Sequence, residues 1–395
     1  MQSFSDLGVS ARIVRALAGR DIHTPFPIQE HVLRDALAGR DILAKAPTGS
    51  GKTLSFAIPL VERFEVGDRH PSALVLVPTR ELASQVAGEI AAIAPTGIEV
   101  ATVYGGVPIH TQAKRAKRAH VLVATPGRLN DLLERKAVTL EGVKILVLDE
   151  ADRMLDMGFK PQVDRIVRHL PRQRQTMFFS ATLDSTVGEL ARAYTSDPVR
   201  CEAEPLDTEA NGEVEHRFVA VKADDKVAML AELLREDRGL ALVFVRTRRG
   251  ADRLVKKLAF HQVDSVALHG DLSQGQRERA LRRFESGQAT TLVATDVAAR
   301  GLDLVEITHV INFDPPAEHS GYLHRVGRTG RAGRSGVGIT FVLPEQQEDV
   351  SRVARLAGHT DQFASGGMKV APPRRVYSSR RGRSKWGSPA PRRKI

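Results

Sequence analysis

Short apolar runs recur along this chain, each followed by a stretch whose apolar residues fall three or four apart. The segments "ALVLVPTRELASQVAGEIAAI" from Ala73 and "ALVFVRTRRGADRLVKKLAF" from Ala241 show the pattern. An unbroken run of Val and Leu reads as a strand buried on both faces, and the spacing that follows is that of an amphipathic helix. Strands alternating with helices predict parallel sheets covered by helices. The unit is also used twice. Leu74–Val77 with Thr79-Arg80 parallels Leu242–Val245 with Thr247-Arg248, and "VLVATPGR" at Val121 parallels "TLVATDVAAR" at Thr291 at nearly the same separation. The polar stretch 204–213, "EPLDTEANGE", has no apolar periodicity and marks the join. A first α/β domain is expected over 1–203, a linker over 204–213, a second domain over 214–365 and a tail over 366–395.

Composition narrows the class. The chain has 395 residues, 42% of them hydrophobic, enough for two packed domains. One cysteine excludes an intrachain disulfide and suits a reducing, cytoplasmic setting. The start "MQSFSDLGVSARIV" lacks a basic-then-apolar leader, and no apolar run approaches the roughly 18 residues a membrane span needs. Net charge is +11, yet Met368–Ile395 alone carries ten Lys/Arg and no Asp/Glu, so the body is nearly neutral. Rich in Arg, Pro, Gly and Ser, the tail is expected to be disordered and to bind a polyanion. Tyr377 and Trp386 offer rings on which bases stack, which favours nucleic acid.

Two segments carry chemistry. "AKAPTGSGKTLSFAIPL" lies between a strand and a helical pattern and matches a phosphate-binding loop, with Ala46 in the first glycine position. Thr48, Gly49, Ser50 and Gly51 let the backbone turn its N–H groups towards phosphate oxygens. The helix starting near Lys52 adds its positive end. Lys52 neutralises β/γ-phosphates and Thr53 offers a hydroxyl to Mg²⁺. In "KILVLDEADRMLDMGF" a buried strand runs straight into Asp149, Glu150 and Asp152. Ligands of doubly wound sheets bind at the carboxyl ends of strands, so these carboxylates are expected beside the phosphates. Asp149 would hold Mg²⁺ and Glu150 would orient the attacking water.

With "APTGSGKT" and "DEAD", the chain resembles the DEAD-box ATP-dependent RNA helicases of superfamily 2, bacterial type. "PTRELA", "GG" at Gly105, "TPGR", "SAT", "ATDVAARGLD" and "HRVGRTGRAG" follow in the family's order over about residues 4–345. The resemblance implies two RecA-like domains in tandem, ATP and Mg²⁺ as cofactors, and RNA-stimulated ATP hydrolysis coupled to local unwinding of short duplexes or remodelling of RNA–protein complexes. It implies that Gln29 reads adenine, with the isolated Phe4 upstream, although Asp21-Ile22 replaces the usual Gly-aromatic pair. An aliphatic contact is therefore expected beside the base.

Domain two has no phosphate loop, so it should complete the single site. By resemblance His324, Arg328 and Arg331 join the catalytic set, the arginines as fingers on the γ-phosphate, and Asp303 meets the ribose. Arg328 and Arg331, three apart, would share a side if helical. The expected RNA contacts are Arg80, Gly106, Thr125 and Arg128 in domain one, with Arg246, Thr247, Gly270, Thr295 and Asp296 in domain two. These suit phosphate and sugar rather than base edges, so sequence preference should be low. Ser180, Thr182 and Asp152 are expected to couple the two sites. Ribonucleoprotein or degradosome-type partners fit such an activity. A weakly catalytic RNA clamp and a DNA translocase are the competing readings.

Overall fold

The computed structural model describes residues 2–46, 50–64, 67, 71–183, 185–202, 213–236, 239–299, 307–330 and 334–372. The first half holds β1 (Ile42–Lys45), β2 (Ala73–Leu76), β3 (Val100–Val103), β4 (Val121–Ala124), β5 (Ile145–Leu148), β6 (Gln175–Ser180) and β7 (Val199–Glu202). The second holds β8 (Val214–Ala220), β9 (Leu240–Phe244), β10 (Ser265–Leu268), β11 (Thr291–Ala294), β12 (Ile307–Asn312) and β13 (Gly336–Val342). They form two separate sheets, ordered β3-β4-β2-β5-β6-β1-β7 and β10-β11-β9-β12-β13-β8, with parallel pairing throughout.

The internal repeat is visible in these orders. The strands matched in sequence, β2 with β9 and β4 with β11, hold corresponding neighbouring places in the two sheets. Each apolar run feeds two cores because side chains alternate across a strand. Ala73, Val75 and Val77 enter one core cluster of domain one, while Leu74 and Leu76 enter the other. Ala241, Val243 and Val245 separate from Leu242 and Phe244 in the same way. Each fully buried Val or Leu contributes about 1.5–3 kcal/mol. Phe56 meets Phe179 edge-on at 5.3 Å between ring centres.

The expected tail begins too early at 366. Met368 is buried against Phe218, Tyr322 and Phe363, and the Ala371 N–H donates to Ser351 Oγ at 2.8 Å. One methionine with an apolar landing site is enough to dock this segment, which the basic composition around it obscured. Residues 373–395 and the linker core 203–212 lie outside the described residues. Among the described residues no helix is long and apolar enough to cross a membrane.

Candidate functional site

The carboxyl ends of β1, β5 and β6 bring most of the expected nucleotide residues together. The helix Lys52–Glu62 starts at Lys52, and Gly51 before it adopts φ +81°, a left-handed conformation natural to glycine. The Lys52 ammonium is buried and donates to the Ala46 carbonyl at 2.8 Å. Ala46 N–H donates to the Ser180 carbonyl at 3.0 Å, tying the loop to "SAT". Thr53 follows at the second helical position. Thr48 and Gly49 lie outside the described residues.

Asp149 follows β5, fixed by its N–H donating to the Leu76 carbonyl at 3.0 Å. Its carboxyl is pushed up to about 6, chiefly by burial; Lys52 opposes the rise and the Glu150 charge adds to it. Glu150 takes φ +52°, strained for a non-glycine residue. Its carboxylate forms a buried ion pair with Arg153 one turn on, so Arg153 sets where Glu150 points. Asp152 reaches the neighbouring strand end: its Oδ2 accepts from the N–H groups of Ala181 (3.0 Å) and Thr182 (3.2 Å). "DEAD" and "SAT" are thereby joined through backbone. Ser180 is buried, and its hydroxyl finds no partner among the described residues.

Two residues expected near the base are both buried. Phe4 is buried in the domain-one core and leaves almost no ring surface exposed to offer a nucleotide. Gln29 is fully buried, its Nε2 donating to the Gly51 carbonyl at 2.9 Å and its Oε1 accepting from Phe26 N–H at 3.0 Å. An amide has four hydrogen-bonding positions, so one N–H and one lone pair remain.

A second group gathers guanidinium charge. Arg80 begins the helix Arg80–Ile93 and runs beneath Gly106, where φ is +89° and a Cβ would stand 2.1 Å from Arg80 Nη1. The left-handed conformation favours glycine at 106, and any side chain there would displace the Arg80 guanidinium. Arg128 Nη1 donates to the Val107 carbonyl (2.9 Å) and to buried Gln112 Oε1 (2.8 Å), while its Nε lies 3.7 Å from Asp131 Oδ2, an ion pair without a hydrogen bond. Thr125 stands just before it, its N–H donating to the Val103 carbonyl. Burial, then the charge of Arg277, push Arg80 below the usual arginine range; Arg128 adds to the fall and Glu81 resists it. Arg277 belongs to the second half and crosses to Glu81, at 2.7 Å from Nε and 2.5 Å from Nη2 to Oε1. The paired side chains are 5% and 10% exposed, so the pair is sealed between the domains. Arg80 thus feels the charges of both Arg128 and Arg277, with Arg277 paired to Glu81, a setting for a phosphate oxygen.

A third group lies within domain two. Arg325 donates from Nε and Nη2 to both Asp296 oxygens (2.5 and 2.7 Å), and from Nη1 to Asn312 Oδ1 and the Asp314 carbonyl. The Asp296 carboxylate is thus held in a fork by Arg325, with its side chain still 34% exposed. Asp314 also accepts from the Arg246 N–H and from Lys226 Nζ, each at 2.9 Å. Lys226 opens the helix Lys226–Arg235 after β8, as Lys52 opens its helix after β1. Domain two therefore fills the counterpart of the phosphate site with a lysine–aspartate pair. Thr247 Oγ1 caps its helix through Gly250 N–H at 3.0 Å, Thr295 is buried, and Arg248 packs beside Gly270. Helix His319–Val326 ends before Arg328, so Arg328 is buried beyond the helix and the shared helical side does not apply. His324 lies within that helix. Arg331 and Asp303 lie outside the described residues.

Tandem sheets of one topology, with a glycine-led loop and a buried lysine at the carboxyl end of β1 in the first and a lysine–aspartate ion pair at the corresponding place in the second, define a two-domain RecA-like nucleoside triphosphatase. Residues 26–190 match the DEAD/DEAH box helicase family and residues 225–333 the helicase conserved C-terminal domain. The ATP-dependent RNA helicase CshA of Limosilactobacillus reuteri is 38% identical over 358 residues, 89% of this chain and 71% of that one. The DEAD-box ATP-dependent RNA helicase CshA of Geobacillus kaustophilus is 40% identical over 360 residues, 90% and 76% of the two chains. Among solved structures, S. cerevisiae Dbp5 bound to RNA and ADP BeF3 superposes with TM-score 0.80 at 31% identity, covering 92% of this chain and 94% of that one. A DEAD box protein from Methanococcus jannaschii gives 0.52 at 36% identity, covering 91% and 98%. The chain belongs to the DEAD/DEAH box helicase family.

Proposed function

We infer that this protein is an ATP-dependent RNA helicase that hydrolyses ATP when RNA draws its two domains together, locally parting short duplexes or remodelling RNA–protein complexes. The observation that carries the reading is the sealed Glu81–Arg277 pair, which brings Arg277 of domain two to the Arg80 and Arg128 guanidinium groups of domain one. The high overlap with the RNA- and nucleotide-bound Dbp5 supports the same domain arrangement.

In this reading the loop ending at Gly51 cradles the triphosphate and Lys52 leaves the Ala46 carbonyl for a phosphate oxygen. Glu150, aimed by Arg153, orients the water. Arg328 and Arg331 stabilise the charge that develops on the transferring phosphoryl group. Asp149 and Thr53 fit a magnesium ion: Asp149 is a buried carboxyl whose ionised form is disfavoured by burial and by Glu150, which a divalent cation reverses. The ion would supply charge neutralisation at the phosphates when bound.

RNA phosphates bridge Arg80, Arg128 and the Gly106 backbone to the Arg246–Thr247 and Thr295 loops. Asp152 passes the state of the nucleotide to Ala181 and Thr182. A strand bent in that cleft departs from A-form geometry, so closure parts a few base pairs. The test is ATP turnover with and without single-stranded RNA, alongside displacement of a short RNA duplex. Turnover should rise steeply with RNA and stay low with DNA of the same sequence; turnover indifferent to RNA refutes the reading.

A further inference from the structure

Phe26 is 45% exposed, at a position where both exposure and local propensity disfavour a phenylalanine. It is the residue that caps the helix Pro27–Leu37, and it supplies no capping side chain. Capping positions favour Ser, Thr, Asp or Asn, whose side chains bond the first turn's N–H groups. Here the work is done by Gln29 instead, which accepts from Phe26 N–H at 3.0 Å while Gln29 N–H donates back to the Phe26 carbonyl at 2.8 Å. The ring itself lies against the phosphate-loop end. A Cβ on Gly51 would stand 2.6 Å from Phe26 Cδ2 and 3.2 Å from Cγ, so the aromatic ring rests on the Gly51 α-carbon. Gln29 is fully buried beside it and bonds the Gly51 carbonyl. Ile22, from which an aliphatic contact beside the base was expected, packs on the domain-one core.

We propose that Phe26 is the aromatic surface on which the nucleobase stacks, and that Gln29 is a positioning residue which locks the Phe26 backbone and the Gly51 carbonyl in register. This rests on the reading that the Gly51–Thr53 segment holds nucleotide phosphates. Stacking needs an exposed ring beside the loop, which Phe26 provides and Phe4 and Ile22 do not. Every base has a π-face, so the ring adds affinity for nucleotides in general. Discrimination for adenine is left to the remaining donor and acceptor of Gln29.

Phe26→Thr separates this role from a structural one, because threonine is a better helix cap and lacks the ring. Calorimetric titrations of the full chain with ADP, GDP and inorganic triphosphate read the outcome. The proposal expects Phe26→Thr to keep or raise the Tm and to weaken ADP and GDP at least about fivefold. Triphosphate binding should be unchanged, the KM for ATP should rise more than kcat falls, and Phe26→Trp should restore ADP affinity. Unchanged ADP affinity in Phe26→Thr, or an equal loss for triphosphate, overturns the proposal. A parent protein that binds neither ADP nor triphosphate removes the nucleotide-site reading itself.

Discussion

The Glu81–Arg277 pair allows closure to be perturbed at one contact. Its atoms lie 2.5–2.7 Å apart with both side chains almost sealed from water. Two unit charges about 4 Å apart attract by about 4 kcal/mol at an effective dielectric constant of about 20. Desolvation costs several kcal/mol per ion, so the intact pair gives closure little net gain. Removing one partner is different: the other is left charged and buried, at a cost of about 3–5 kcal/mol. That cost falls on the closed form alone, because opening returns the survivor to water. At about 1.4 kcal/mol per tenfold, Glu81→Ala should raise the RNA concentration for half-maximal ATP turnover by about two to three and a half orders of magnitude. Arg277→Met should do the same, and somewhat more, since Arg277 also donates to the His269 carbonyl at 3.0 Å beside Gly270. The double variant Glu81→Leu/Arg277→Met leaves no orphaned charge and should lie within about tenfold of the parent. The assay is RNA-titrated ATPase, with Tm as a control on folding. Single variants that match the parent, or a double variant worse than either single, would refute the reasoning.

Other outcomes follow from the same geometry. Glu150→Gln should bind ATP and RNA yet lose turnover, and Arg153→Ala should lower turnover at unchanged ATP affinity; rapid-quench hydrolysis checks both, and parental rates in either contradict the roles given. Arg325→Lys replaces a fork by a point charge and should weaken RNA affinity about tenfold while ADP affinity holds, read by fluorescence anisotropy. Burial, then the nearby His359 ring stacked at 3.6 Å, push His216 down to about 4, so it stays neutral in the fold while the unfolded chain protonates near about 6.5. The native state therefore binds fewer protons in that window, and domain two should lose stability as pH falls from about 6.5 to about 4; urea titrations at several pH values test this, and His216→Asn should flatten the dependence. Deleting 373–395 should reduce the slope of log affinity against log salt by about 0.7 for every single-strand phosphate that the tail neutralises, and an unchanged slope would mean that it neutralises none.

Much of this was legible in the residues. The apolar runs carried β2, β4, β5, β9 and β11, because a strand buried on both faces needs unbroken Val and Leu. Gly51 and Lys52 marked the start of their helix through local backbone demands. What escaped was tertiary pairing. Nothing near Glu81 announces Arg277, and the fork that Arg325 makes on Asp296 arises where two distant segments meet. The burial of Phe4 was not legible because an isolated phenylalanine looks alike whether it faces a ligand or a core. Phe26 did leave a local signal: an aromatic where a helix cap calls for a hydroxyl or carboxamide. The lysine–aspartate pair Lys226–Asp314 shows why the duplication yields one nucleotide site, since an internal ion pair stands where phosphate would bind.

The central claim is that one nucleotide site is completed by a second domain which RNA brings into place. Energy transfer between dyes on exposed positions of the two domains measures that closure directly. Efficiency should stay low with RNA alone or with a nonhydrolysable ATP analogue alone, and rise only with both, in step with ATP turnover. Full closure with nucleotide alone, or rapid turnover while the dyes remain apart, would contradict the account.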